Sequence, residues 1–134
     1  MHRCHLAQEI VHWAGRWLPL SITCEFSYSA RDPYAVTLIF DAEGDWPVRW
    51  VFSRDLLADG LTARTGQGDV MVWPEHRLGG PSAVWIEVGS APRTALFEIP
   101  ALPVAKWLAH SYALVPRGEE LPAVDWDELT QLTE

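Results

Sequence analysis

Three carboxylates recur at alternate positions in one short acidic loop: Asp41, Glu43 and Asp45. This spacing matches the start of a calcium-binding EF-hand loop, in which alternating oxygen ligands surround the ion. Such a loop needs glycine at its sixth position for a sharp turn, and a bidentate glutamate at its twelfth. Trp46 and Phe52 stand at those positions instead. The sequence therefore predicts a solvent-exposed hairpin tip here and no metal ion.

A second glycine-rich string, Gly66-Gln67-Gly68, resembles the start of a phosphate-binding loop. It lacks the Gly-Lys-Ser/Thr ending of a P-loop, and Met71 occupies the third glycine position of the dinucleotide-binding pattern. A turn that uses the conformational freedom of glycine is the better interpretation. We expect Gly68 either to adopt a positive φ or to approach another backbone closely.

Histidine and cysteine are concentrated near the N-terminus, but their spacing matches no zinc pattern. Cys24 falls on the apolar side of a predicted strand, so we expect it to be a small buried hydrophobe. The sequence predicts neither a metal site nor a cofactor. The candidate ligands considered for a metal are His2, Cys4, His5 and His12.

Two pairs of titratable residues are spaced so that each pair would share a helix face. Asp55 and Asp59 form the first pair, and Lys106 and His110 form the second. Catalytic groups need a cleft and a perturbed pKa. Without either, the spacing favours solvent-exposed sides of helices. We find no catalytic constellation and predict that the protein is not an enzyme; a small-molecule site would require a deep polar pocket.

The composition limits the classes of partner. The chain has 134 residues and a net charge of −8, with only 10 lysines and arginines, and we expect one domain over residues 1–134. Phosphate backbones and anionic membranes bind clustered basic residues, so both are poor partners. Isolated cysteines, no signal peptide and no long apolar run favour the cytoplasm. Eight tryptophans exceed what one small core needs; they fit either a protein interface or half-exposed core edges.

Alternating apolar residues predict an α+β fold of seven strands with two or three helices, mostly antiparallel because the connections are short. For residues 4–13 the pattern favours a strand, with a helix as the alternative. Ser53 is expected to cap a short helix, and Thr65–Asp69 to form a glycine turn. The other expected strands are Leu18–Tyr28, Tyr34–Asp41, Val48–Phe52, Val70–Trp73, Ala83–Val88 and Thr94–Glu98. The expected helices cover residues 54–58, a segment from about Pro100 to Leu114, and Trp126–Leu132.

Three strings give the chain a family resemblance: Asp32–Val36 reads DPYAV, Trp50–Leu57 reads WVFSRDLL and Thr65–Pro74 reads TGQGDVMVWP. In this order they resemble the SsgA-like proteins. The similarity is strongest over about residues 18–73 and continues through residues 96–118, where Val115–Gly118 matches the turn that follows the family's helix.

The resemblance implies twisted antiparallel sheets with packed helices, similar to the whirly-type fold, and assembly as a trimer. It implies a non-enzymatic adaptor in sporulation-specific septation of filamentous actinomycetes. Such an adaptor is located at septum sites and helps to recruit or organise the FtsZ ring, and its partners are FtsZ and other SsgA-like proteins. The alternative is a single-stranded nucleic-acid-binding protein, because whirly-type sheets bind such strands. The low number of basic residues argues against that alternative.

Recognition is expected on exposed loops that a rigid scaffold positions. One candidate is the acidic hairpin tip, Asp41–Trp46. The other is the turn Val115–Gly118, where an ordinary helix stop is the simpler interpretation. A bulky residue at position 118 is expected to leave the melting temperature nearly unchanged. The candidate partner-binding residues are Asp41, Glu43, Asp45, Trp46, Arg117 and Gly118.

Overall fold

A computed structural model of the chain describes residues 2–15, 17–76, 78 and 82–120. Within these residues the chain forms eight strands and two helices. The predicted helix Trp126–Leu132 lies outside the described residues. In chain order the elements are β1 (Arg3–Ala14), β2 (Leu18–Ser29), β3 (Asp32–Phe40), β4 (Val48–Ser53), α1 (Arg54–Gly60), β5 (Thr65–Gln67), β6 (Val70–Glu75), β7 (Ala83–Ser90), β8 (Arg93–Pro100) and α2 (Ala101–Leu114).

The strands form one antiparallel sheet in the order β4-β3-β2-β1-β8-β7-β6-β5. β1 and β2 pair over their whole length, from Arg3 opposite Ser29 to Ala14 opposite Leu18. β1 meets β8 over only three residue pairs, those of Val11–Trp13. This short contact joins the two halves of the sheet.

Side chains alternate between the two faces of the sheet, and one face holds the core. On β2, Cys24, Phe26 and Tyr28 are buried, as the alternating pattern predicted. α1 contacts β3 and β4 at one end of the sheet and β5 and β6 at the other. The sheet therefore curves into a half-barrel, with α1 between its two edges. α2 packs on β1 and β7 inside the curve.

Local signals explain where α1 begins and why it fits closely. The hydroxyl of Ser53 accepts a hydrogen bond from the backbone N–H of Leu56 at 3.2 Å, which confirms the predicted N-cap. Gly60 is the last residue of the helix, and a Cβ there would collide with the side chain of Val72. Glycine at this position thus lets α1 lie directly on β6.

The sequence predicted most elements within one or two residues, and the structure corrects two points. The segment Thr65–Asp69 is not all turn, because Thr65–Gln67 pairs with Val70–Val72 as strand β5. The described residues therefore contain eight strands instead of seven. They also form one continuous sheet instead of several. Short strands without a clear alternation of apolar residues carry little sequence signal.

Candidate functional site

The acidic tip, residues 41–47, joins β3 to β4 and exposes an aromatic ring. Trp46 is 85% exposed, and Glu43 and Asp45 are exposed beside it. Asp41 has a φ of 56°, and its carbonyl accepts a hydrogen bond from the N–H of Gly44 at 2.9 Å. A Cβ at position 44 would collide with the Asp41 side chain. The tip is thus a tight turn that projects an indole among carboxylates.

The second candidate region follows α2 and is tied to α1 by Arg117. This guanidinium donates two hydrogen bonds to Asp59, at 2.7 and 2.9 Å, and its Nε lies 3.6 Å from a carboxylate oxygen of Asp55. The hydrogen bonds from Arg117 hold the pKa of Asp59 below its usual range. The hydroxyl of Tyr112 donates a further bond of 2.7 Å to Asp55. Asp55 and Asp59 therefore both form ion pairs with Arg117. This corrects the expectation that they lie on a simple solvent-exposed side of the helix.

Arg54, the first residue of α1, is fully buried and binds the end of α2 and the segment after it. Its guanidinium lies between the rings of Tyr28 and Tyr112, 4.6 and 3.9 Å from their centroids. Its Nη1 donates a hydrogen bond of 3.0 Å to the carbonyl of Ser111, and its Nη2 donates one of 3.2 Å to Glu120. Two arginines thus connect α1 with the segment after α2: Arg54 of α1 binds Glu120, and Arg117 of the segment binds Asp59 of α1.

Glu120 completes this connection. Its other carboxylate oxygen accepts a hydrogen bond of 2.8 Å from the backbone N–H of Gly118. Burial raises the pKa of Glu120, but hydrogen bonds from its own backbone, from Arg54 and from Gly118 outweigh that effect and lower it. Gly118 has a φ of 87°, where other residues are strained. The expectation that a bulky residue at position 118 leaves stability nearly unchanged is therefore wrong.

The outer face of the sheet carries a row of three tryptophans, on β1, β7 and β6, with β8 lying between β1 and β7. Trp85 lies between Trp13 and Trp73. Its ring centroid is 6.3 Å from that of Trp13 and 6.4 Å from that of Trp73. Arg64 covers Trp73 at 4.7 Å, and the indole N–H of Trp13 donates a hydrogen bond of 3.1 Å to Glu98. The rings are half-buried. Much of the tryptophan surplus thus lies on the face away from the core.

A groove separates the free edge of β4 from the turn between β5 and β6. Its volume is about 530 Å³. One side is formed by the last four residues of β4, Trp50–Ser53, with Tyr34 and Ala35 of β3. The other side is formed by Gln67, Asp69 and Val70. The hydroxyl of Ser53, which also lines the groove, caps α1 by accepting the N–H of Leu56.

Within the described ranges, no three histidine, cysteine, aspartate or glutamate side chains come together as metal ligands. Cys24 is buried, as predicted, and burial raises its pKa to about 12, so its thiol is inert. Lys106 and His110 are exposed, as their spacing indicated. No helix in the described part of the chain is long and apolar enough to cross a membrane.

The model of one protein family matches residues 22–120, and its description is "Streptomyces sporulation and cell division protein, SsgA". The chain belongs to the SsgA family. The resemblance noted in the sequence is thereby confirmed. The matched region covers β3 to β8, α1 and α2 completely and includes both candidate regions.

Relatives in the SsgA family share about two-fifths of their residues with the chain. The sporulation-specific cell division protein SsgB of Streptomyces coelicolor is 41% identical over 125 residues, which cover 93% of this chain and 89% of that protein. SsgB of Frankia casuarinae is 38% identical over 122 residues, covering 91% and 83%.

Two solved structures have the same fold. The SsgA-like sporulation-specific cell division protein of Thermobifida fusca aligns with a TM-score of 0.85 at 30% identity, over 98% of this chain and 96% of that one. A second aligns with a TM-score of 0.79 at 36% identity, over 88% and 92%; its description states that mutations in SsgB correlate to longitudinal cell division during sporulation of Streptomyces coelicolor.

Sequence reasoning found the exposed tip but missed the buried cluster. Nothing singled out Arg54 or Glu120, which are 66 residues apart in the chain. One signal was present: an arginine directly after the N-cap of a helix, two residues before a pair of leucines that must face the core. The assignment of the candidate residues to partner binding remains a prediction.

Proposed function

We propose that the chain is a non-enzymatic adaptor in sporulation-specific cell division, acting in the cytoplasm at the septum. Its task is to help recruit or organise the FtsZ ring through contacts with FtsZ or with other SsgA-like proteins. The names of its relatives support the cell-division role. The adaptor role also agrees with the absence of a catalytic constellation in the part of the chain that the structure describes.

The observation that carries the proposal is the exposure of Trp46 on the acidic tip, whose turn is closed by the hydrogen bond from Gly44 to Asp41. Burying an indole on a partner is among the strongest contributions to protein interfaces. The tip is built by β3 and β4, which pair over six residues and are anchored in the core. A partner therefore meets a preformed surface and loses little entropy in ordering it.

Self-association as a trimer belongs to the same proposal. Half-buried tryptophans on the outer face are suited to contacts between subunits, since tryptophan is enriched there. A trimer would present its tips in three copies to a polymer, and linked sites raise the apparent affinity by about 10²–10⁴-fold.

The proposed partners include no nucleic acid. The outer tryptophan row resembles a stacking platform, but such platforms lie beside clustered basic residues. Here the outer face carries Glu9, Glu25 and Glu87 as well as Arg3, Arg49 and Arg64, so basic residues do not dominate it, and the whole chain carries a charge of −8. Negative charge repels a phosphate backbone.

Co-sedimentation with FtsZ polymers tests the adaptor role. Purified protein is mixed with FtsZ, polymerisation is started with GTP, and the pellets are compared with those formed with GDP. The proposal expects the chain to pellet only with polymers, or with polymers once another SsgA-like protein is added. Absence from the pellet under both conditions would contradict it.

A further inference from the structure

The outermost strand of the sheet, β4, has one backbone edge that no other described residue pairs with. Among the described residues it pairs with β3 only, because it ends the sheet. Such an edge presents alternating N–H and C=O groups that can pair with another extended chain. Six residues of β4 give an edge of about 20 Å. This length suits a segment of about six residues.

The side chains on this strand do not protect the edge in the usual way. Natural edge strands are commonly protected by charged residues, bulges or coverage. β4 instead exposes Val48 at 50% and Val51 at 48%, next to Trp46 at 85%. Arg49 is its one charged residue. An exposed apolar edge of this kind favours binding of another strand.

The groove beside β4 determines which kind of strand can bind. One wall consists of the last four residues of β4 with Tyr34 and Ala35 of β3, and the other is the β5–β6 turn. The buried side chains of Phe52 and Val70 lie along the groove. The edge of a second folded sheet would bring further strands beside it, and the β5–β6 turn occupies their place. A single extended peptide fits between the two walls.

Charge specifies the ends of that peptide. Asp69 is exposed on the β5–β6 turn and lines the groove. The acidic tip, with Asp41, Glu43 and Asp45, leads directly into the other end of β4. Carboxylates at both ends of the edge favour basic residues that flank an apolar centre.

We infer that the groove binds an extended segment of a partner protein, which adds to β4 as a further strand. The segment has apolar residues at alternate positions, directed at Phe52 and Val70, and lysine or arginine at its ends. Backbone hydrogen bonds give affinity, and alternate side chains give specificity, as in other cases of strand addition. The inference rests on the proposed adaptor role and gives the chemical class of the segment recognised.

Selection from a random dodecapeptide display library tests the groove directly, since the selection requires no identified partner protein. The probes are the enriched peptides, made synthetically with a fluorescent label. We expect them to alternate apolar residues between basic ends. N-methylation of the two central amides that face β4 should weaken binding by about tenfold or more, because each of them donates a backbone hydrogen bond to the edge of β4.

Two lysine variants at similarly exposed positions test whether the peptides bind at the β4 edge. Val51→Lys places a charge on the edge in the groove and should reduce affinity by at least about tenfold, because a lysine protects an edge strand. Leu18, 57% exposed on the β1–β2 hairpin, does not line the groove, so Leu18→Lys should bind like the parent. Equal melting temperatures show that both variants fold.

The inference is overturned if no peptide is enriched, if N-methylation has no effect, or if Val51→Lys binds the peptides as well as the parent does. It is also overturned if Val51→Lys changes the oligomeric state, since the edge would then serve a second copy. The adaptor role is judged separately, by co-sedimentation with FtsZ. If the peptides bind but the chain does not co-sediment with FtsZ, the groove is supported and the adaptor role is contradicted. If the chain co-sediments but no peptide binds, only the groove is contradicted.

Discussion

The guanidinium of Arg54 and the carboxylate of Glu120 form a buried ion pair, with Nη2 3.2 Å from Oε1. The side chains are only 1% and 6% exposed. The pair joins the start of α1 to the segment that follows α2. Together with the reverse pair from Arg117 to Asp59, it fixes that segment on the body of the protein.

Removal of the buried arginine should destabilise the protein strongly. Arg54→Met leaves the Glu120 carboxylate without its cation, and breaking a buried pair in this way costs about 3–5 kcal/mol. The free energy of unfolding from urea titration measures the effect. Arg31, an exposed arginine on the β2–β3 turn, gives the matched control, and Arg31→Met should change stability by less than about 0.5 kcal/mol. Equal stability of the two variants would contradict the structural role of Arg54.

Acid should weaken the same connection. The pKa values of Asp59 and Glu120 are lowered in the folded state. Their contribution to stability is therefore complete above the unfolded carboxyl pKa of about 4 and is lost as the pH falls through the lower folded values. Melting temperatures between pH 7 and pH 2 measure this loss. The double variant Asp59→Asn/Glu120→Gln should melt lower at pH 7 and lose less on acidification than the parent; parallel curves would exclude this contribution.

The turn between β5 and β6 should depend on glycine at position 68. Gly68 has a φ of 59°, which confirms the expected positive φ, and a Cβ there would meet no atom within 4 Å. Gly68→Val should therefore cost about 1–3 kcal/mol through backbone strain alone. Gly68→Asn is the control and should cost less, because asparagine tolerates this conformation. Unchanged melting of the valine variant together with lost partner binding would instead make the turn a recognition site.

The contribution of the acidic tip can be measured against a matched tryptophan. Trp46 and Trp17 are exposed to nearly the same extent, 85% and 87%, on different hairpins. Either substitution by alanine should change the free energy of unfolding by less than about 0.5 kcal/mol. We expect Trp46→Ala to weaken co-sedimentation with FtsZ polymers and Trp17→Ala to retain it. Normal co-sedimentation of Trp46→Ala would exclude the tip as the partner surface.

Local signals were readable from the sequence, and distant pairings were not. Ser53 and Gly68 each act through a few neighbouring residues, so their types alone predicted the cap and the positive φ. Asp55 and Asp59 bind Tyr112 and Arg117, which are more than 50 residues away in the chain. No periodicity in the sequence indicates such distant pairs. The tip was predictable because a turn between two clear strands must be exposed. Its role in binding depends on a partner that the sequence does not contain.

The oligomeric state gives an independent test of the proposed assembly. Sedimentation equilibrium at micromolar concentration should show a trimer of the 15.1 kDa chain. Trp85→Ala, in the middle of the outer tryptophan row, should shift the equilibrium towards monomer if that row lies between subunits. A monomer for the parent protein would contradict the trimer.

The location of the protein during sporulation tests the central claim most directly. A fluorescent fusion of the chain is followed by time-lapse microscopy in sporulating filaments of the organism that encodes it, together with labelled FtsZ, and septum position is scored after deletion of the gene. The account predicts that the fusion marks future septum sites and that FtsZ rings are lost or misplaced in the deletion strain. A uniform distribution of the fusion together with normally spaced FtsZ rings in the deletion strain would contradict it.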